Sequence, residues 1–535
     1  MDRRTLLKDV GISSAVLMAG CTGISNDDFR GPNVSTDMSI QTTPGGAPRT
    51  SSLDDVTTGE PVETRFWVTI PYSQQPTDAV FMAIDGRDPI PMERVGALNY
   101  QTTVSIPTGT PVQYRYFRDG PAASSAPYET HVTSTDQSVY DAVVEWSDSS
   151  FTPSFPPGFN VGILMMDTWG RNYNFGWFET TRNHIDTAFE RVAAIGSDMV
   201  RVTDFHMAVW DDGEFSIDNT AYHIEGETFQ NDNRDEVMTE ADLRRLAQAA
   251  HARGMEIGWR TSFHFWDIGK YVGSLNVSEE VEADFRELQK PKSAAWVRDF
   301  LGKFGDLLVE RAKLLDEVGF DEIHLTPGYM TPSYQPNEAL ADELWLNIIQ
   351  DVRAVFDGKL SYEGNAWGFL DGRDDEEWWA TQTRYHSVDR VYISIYQLPD
   401  EFTVAEPTFE DIRTGLTAYL DAIERGNESH RATLALEVRF ASFENAINHT
   451  HIEFNDFVNP DLQALDRDWQ HQADCYEALF QTLEGPSGFQ KVDFVGYWWD
   501  NAMDPDTARP LIGKSPSPRN KPAEAVFEKW ATARA

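Results

Sequence analysis

In the run RATLALEVRF, residues 431–440, one carboxylate, Glu437, sits among Leu434, Ala435, Leu436, Val438 and Phe440. A charge in such a run is costly unless it is paired or used. Two readings fit: a core carboxylate bridged to an arginine such as Arg439 or Arg260, or a catalytic group. Comparable chemistry closes other apolar runs along the chain. Asp167 and Trp169 follow NVGILMM, while Thr203, Asp204 and His206 end MVRVTDFH. Arg260, His264 and Trp266 lie in RTSFHFW, and Glu363, Asn365 and Trp367 in YEGNAW. Tyr396 lies in SIYQ, Arg439 follows Glu437 by two, and Trp498, Trp499 and Asp500 fall in YWWDN. Aromatic rings beside carboxylates, amides and guanidinium suit sugars, whose C–H faces stack while their hydroxyls need fixed partners. Cleaving a glycosidic bond needs two carboxyl groups, one as acid and one as nucleophile or base. No phosphate loop, nucleophile elbow or HExxH pattern is present. The spacing of His206 and His264 matches no ligand signature, so neither a metal nor a cofactor is expected.

Strand–helix units position these groups. Beyond residue 158, apolar strands alternate with amphipathic helices, whose faces include Ile185, Phe189 and Val192, or Leu340, Leu344, Ile348 and Val352. The junctions AAIGSDMVRV, HARGMEIGW, DEVGFDEIHL and VFDGKLSYEG each offer a glycine able to close a helix in the left-handed conformation. Strands are expected near 159–166, 198–204, 255–262, 321–327, 359–364, 389–396, 432–438 and 492–499. Eight such units predict a (β/α)₈ TIM barrel over 159–535, with its site at the strand C-termini. A doubly wound open sheet is the alternative, but MMDTWGRN stands where its glycine-rich loop belongs.

Ahead of the barrel, residues 61–148 read as strands alone, alternating at period two between Pro, Gly and Asp turns. They predict a small all-β sandwich, so the chain is multidomain. VSIPTGTPVQYRYFRDG and VYDAVVEW resemble starch-binding-type modules, which implies a carbohydrate-binding role; a structural spacer is the alternative. Residues 149–158 are a Pro-rich linker and 22–60 a flexible tether. Residues 1–21 pair Arg3 and Arg4 with a short apolar stretch and LMAGC, resembling a twin-arginine lipoprotein signal. That implies export, cell-surface location and a lipid anchor at Cys21. The only other cysteine, Cys475, lies on a helical face with Leu465, Trp469, Tyr476, Leu479 and Phe480 and reads as a buried thiol.

Forty-four basic against 86 acidic residues give a net charge of −42. That sign excludes nucleic acid as a partner and leaves the lipid anchor as the sole membrane contact. With 41% hydrophobic residues the chain is not disordered, and its acidity suits the carboxylate-rich surface of a halophilic protein.

The barrel's second half resembles a family. WVRDFLGKFGDLLVERAKLLDEVGFDEIHL, LWLNIIQDVRAVFDGKLSYEGNAW, VDRVYISIYQLPD, LALEVRF and SPSPRNKPAEAV are similar, in that order, to glycoside hydrolase family 113 and related β-mannanase-like barrels. The resemblance covers about residues 290 to 527. It implies a polysaccharide or oligosaccharide substrate, Glu437 as nucleophile, and Asn365, Tyr396, Trp498 and Trp499 lining the sugar site. The family's acid sits at the end of strand 4, where this chain has IHLTPGYM, with Pro327 and Gly328 in its place. Glu363 on strand 5 is the nearest replacement, and Asp167, Asp204 and Asp500 are further candidates. Glu363 has taken over the acid's role, or the mechanism differs, or the barrel is a non-catalytic surface glycan-binding lipoprotein.

Overall fold

The computed structural model describes residues 59–71, most of 79–147, 152–165, 185–211, 214–217, 238–266, 290–326, 332–364, 383–448, 465–495, 514 and 516–534. The expected signal, Cys21 and the tether up to residue 58 lie outside these residues.

The first nine strands are β1 (Pro61–Thr69), β2 (Val80–Ile84), β3 (Ile90–Pro91), β4 (Glu93–Arg94), β5 (Asn99–Pro107), β6 (Pro111–Arg118), β7 (Ala123–Ser124), β8 (Tyr128–His131) and β9 (Ser138–Ala142). They form two sheets, β4-β5-β1-β9 and β3-β2-β6-β7, with β8 also paired to β6. Along β1, Val62, Thr64, Phe66 and Val68 are buried and their neighbours turn outward, the alternation that makes a strand with one covered face. Phe66, Val104, Met82 and Tyr116 belong to a single core shared by both sheets, as the sequence predicted for an all-β sandwich.

The barrel follows as β10 (Asn160–Met165), β11 (Met199–Asp211), β12 (Glu214–Ile217), β13 (Glu256–Trp266), β14 (Glu322–His324), β15 (Lys359–Gly364), β16 (Arg390–Ile395), β17 (Leu434–Val438) and β18 (Phe489–Val495). All but β12 are parallel to their neighbours; β12 is an antiparallel extension hairpinned onto β11. The ring closes because β10 pairs with both β11 and β18, Gly162 lying opposite Met199 on one side and Asp493 on the other. Closure excludes the open sheet, and all eight expected strands are present. The second and third run longer than expected, paired with each other from Met199↔Glu256 to Val209↔Trp266. The fourth is short: Leu325 N–H still donates to Ser361 O, but Pro327 has no N–H to carry the ladder on.

Described helices are α1 (Ile185–Ala194), α2 (Glu240–His251), α3 (Ala294–Val318), α4 (Glu338–Arg353), α5 (Phe409–His430), α6 (Trp469–Leu483) and α7 (Pro522–Ala533). Gly319 closes α3 in the left-handed conformation, φ 90°, as expected. Gly358 does not cap α4, which ends at Ala354 in right-handed geometry. It is glycine for space, since a Cβ there would lie 2.7 Å from Asp321 O. Cys475 is a buried free thiol on α6, as its helical face implied.

Helix α7 joins sandwich to barrel. Lys529, fully buried, binds Glu477 of α6 and donates to Ile70 O at 3.2 Å, and Trp530 Nε1 donates to Glu477 at 2.8 Å. Asp474 of α6 accepts from Ala97 N and Asn99 Nδ2, both at 3.4 Å, and from Gln470 Nε2 at 2.9 Å. Within the sandwich, Asp141 accepts from the Tyr114 and Tyr116 hydroxyls at 2.8 and 2.6 Å. Burial pushes Asp141 up to about 6 and both Asp474 and Glu528 up to about 7. A carboxyl raised in the folded state binds protons that the unfolded chain has already released. Its folded form therefore gains stability as pH falls through about 7 towards the ordinary value near 4. Unfolding midpoints at fixed salt are expected to be higher at pH 5.5 than at pH 8.5. Asp474→Asn keeps the acceptor oxygen and should raise the pH 8.5 midpoint by a few degrees with little effect at pH 5.5.

Candidate active site

Period-two alternation turns every second side chain of each barrel strand inward. Here several inward positions are charged. From β11 comes Arg201, 0% exposed, whose Nη2 donates to Glu437 Oε1 at 2.5 Å and lies 3.0 Å from Asp493 Oδ2 of β18. Its guanidinium stacks 4.2 Å over the Tyr392 ring of β16, and Nη1 meets His324 Nδ1 of β14 at 3.4 Å. Arg260 of β13 donates to both oxygens of Glu437, at 3.3 and 3.1 Å. Burial alone would raise the Glu437 pKa, but these two arginines overcome it and hold the carboxyl ionised, far below the usual range.

A second layer lies deeper. Glu322 of β14 accepts from Ser361 Oγ at 2.8 Å, Tyr392 OH at 3.0 Å and Arg390 Nη1 at 2.7 Å. Burial works against its charge, but Lys491, Arg390 and Arg201 bring its pKa down to about 2. Lys491 of β18 lies 3.3 Å from Asp493 Oδ1. Asp493 meets Lys491 and Arg201 as charge contacts rather than as aligned hydrogen bonds. Room for this pair requires Gly162, where a Cβ would lie 2.2 Å from Asp493 Oδ1.

Glu363 is the second carboxyl at the strand ends. It sits on β15, one strand beyond β16 from Glu437, with Ser394 of β16 opposite Glu437 in register. Ser394 Oγ donates to Glu363 Oε1 at 3.2 Å. Part of Glu363 remains open to solvent. Its pKa is raised by burial and by the neighbouring charge of Glu437, against the opposing pull of Arg260, Ser394 and Arg439. Both glutamates occupy the next-to-last residue of their strands, at the C-terminal mouth.

The expected site residues divide three ways. Glu437, Glu363, Arg260, Tyr396 and Arg439 gather at the mouth; Arg439 lies 4.7 Å over the Tyr396 ring and its backbone N–H donates to Ile395 O. Asp204 and His206 are corrections. Both are 0% exposed and face the helical layer rather than the mouth. Asp204 accepts from Trp259 Nε1 at 3.1 Å and Met238 N at 2.9 Å, with Arg311 of α3 nearby, while His206 Nε2 lies 3.3 Å from Asp204. They share the parity of Val202, opposite to that of Arg201, so the strand turns them outward. Asp167, Trp169, Asn365, Trp367, Trp498, Trp499, Asp500, Pro327 and Gly328 lie outside the described residues, as do the side chains of His264 and Trp266. Arg201, Glu322, His324, Tyr392, Ser394 and Asp493 were not foreseen, although RVT, EIH and KVD each place polar groups two residues apart.

The chain thus holds a closed (β/α)₈ barrel, preceded by a two-sheet sandwich, with two unlike carboxyls at the C-terminal ends of its strands. No protein-family model matches the chain, and no curated protein does. Solved structures similar to it include a GH113 β-mannanase from Alicyclobacillus acidocaldarius in complex with ManMIm, at 18% identity and TM-score 0.45 over 71% of this chain and 100% of that one. A GH113 β-1,4-mannanase gives 14% and 0.44 over 70% and 99%. A β-glucosidase from Pyrococcus furiosus gives 10% and 0.40 over 71% and 96%. At this similarity the barrel assignment stands on the strand pairing itself.

Arg201 neutralises two buried carboxylates at once. Arg201→Met should therefore destabilise the fold by about 3–5 kcal/mol in denaturant unfolding, the cost of stranding a buried charge.

Proposed function

We propose that this chain is a glycoside hydrolase working through two carboxyls, Glu437 as nucleophile and Glu363 as acid/base. The observation that carries this reading is the opposite displacement of the two groups. Arginines hold Glu437 ionised, while burial and the Glu437 charge keep Glu363 protonated beyond the usual carboxylate range. Glu437 attacks the anomeric carbon as Glu363 gives its proton to the departing glycosidic oxygen. Glu363 then takes a proton from water as that water displaces Glu437 from the sugar. Ser394 orients Glu363, and Arg201 and Arg260 orient Glu437.

The sequence resemblance over 290–527 supports a β-linked, mannan-like polysaccharide as substrate, and Arg439, Tyr396 and the aromatic residues of the mouth as its lining. The leader and Cys21 support export by the twin-arginine route and lipid anchoring at the cell surface. On this reading the sandwich assists in capturing substrate.

The test is release of reducing ends from a polysaccharide panel containing mannan and glucomannan, in high salt. Glu437→Gln should abolish it, and Glu363→Gln should reduce it about a thousandfold. Because Glu363 acts protonated, kcat/KM should fall as pH rises through its raised pKa. That alkaline limb should vanish in Glu363→Gln acting on an aryl glycoside whose leaving group needs no proton. Binding of mannan without turnover by the unaltered protein would replace this reading with a non-catalytic glycan-binding one.

A further inference from the structure

The end of β14 holds two buried polar groups that nothing in the network uses. His324 is 0% exposed, and its Nδ1 faces Arg201 Nη1, which can only donate. Ser361 Oγ, which donates to Glu322, also lies 3.2 Å from Nδ1. The Arg201 contact admits only an acceptor there, so the ring proton is assigned to Nε2. Among the described residues that N–H has no hydrogen-bond partner. Two residues on, Thr326 is 1% exposed and its Oγ1 is also without a partner among the described residues. Glu322 and His324 point inward, and Leu325 N–H continues the ladder to Ser361, so Thr326 shares their side of the strand. A buried polar group left unpaired is costly, and native proteins keep few of them.

We propose that His324 and Thr326 form a hydroxyl-binding subsite at the end of the fourth barrel strand, beside Glu437, that takes a neutral ring hydroxyl of the glycan. The proposal rests on the glycosidase reading above and adds a binding role for the end of the fourth strand, where Pro327 and Gly328 stand in the acid's place. The surroundings select the ligand. An anionic group here would meet Glu437 and Glu322, and a cationic one would meet Arg201 and Arg260, whereas an uncharged hydroxyl meets neither penalty. Burial and the flanking arginines also keep the imidazole neutral, so His324 serves as a fixed N–H donor and does not replace the missing acid.

The experiment is calorimetric titration of mannotetraose into the full chain carrying Glu363→Gln, which blocks turnover while mimicking the protonated acid. Adding His324→Phe should weaken binding roughly ten- to a hundredfold, the loss of a buried donor. His324→Gln places an amide N–H near the position of Nε2 and should restore binding to within a few fold. Thr326→Val, nearly isosteric, should weaken it about tenfold. If His324→Phe impairs folding, seen as a lowered unfolding midpoint, the Thr326→Val result decides alone. Equal affinity across all the variants overturns the subsite and shows that the two groups hold only water, while leaving the glycosidase reading intact. A Glu363→Gln background that binds no mannotetraose overturns the mannan-like reading and the subsite with it.

Discussion

The contact on which the barrel interior depends is Arg201 lying between Glu437 and Asp493. A guanidinium with no solvent access must find its counter-charges inside the protein. Arg201 finds them on the seventh and eighth strands, a ring face on the sixth and an imidazole on the fourth. One side chain from the second strand thus ties together the strands that complete the ring. Buried ion pairs come close to cancelling their own desolvation cost, so the arrangement is better understood as holding a carboxylate in place than as a store of stability.

The two mouth carboxyls differ through what surrounds them. Glu437 receives two guanidinium groups, whereas the hydrogen bond to Glu363 comes from a serine hydroxyl. Formal charges in the interior reinforce the difference. Arg201, Arg260, Arg390 and Lys491 supply four positive charges, against three negative from Glu322, Glu437 and Asp493. Glu363 is the fourth acid, and its ionisation takes the sum from +1 to zero. Loss of its proton is opposed by burial and by Glu437 but encouraged by that net positive charge, and the first pair prevails.

Much of this was legible in the sequence, for physical reasons. Apolar strands and amphipathic helices announce a barrel because each must bury a recognisable face, as Ile185, Phe189 and Val192 of α1 do. Glu437 stood out because its charge falls within the apolar stretch Leu434–Val438. Arg201, Glu322 and Asp493 did not, since each has polar neighbours nearby and the alternation is short. The misassignment of Asp204 and His206 has the same origin. They lie near the end of a strand, which suggested the mouth, yet the face they occupy depends on odd or even spacing from Arg201. That reference point becomes visible only once Arg201 is known to point inward. The counter-charges come from strands hundreds of residues apart in sequence, and no local pattern couples them.

The end of the fourth strand, beyond Glu322, also bears on how such a site can change. His324 lies between two acids and borrows contact with an arginine already committed to two carboxylates. His324→Glu, as a single step, would crowd a third negative charge onto that arginine before any new cation arrived. Placing an acid at position 324 is therefore an epistatic path, open only after a compensating change elsewhere in the ring. A carboxyl on the fifth strand avoids that obstacle, because Glu363 leans on a hydroxyl and partial solvent contact rather than on a shared counter-ion.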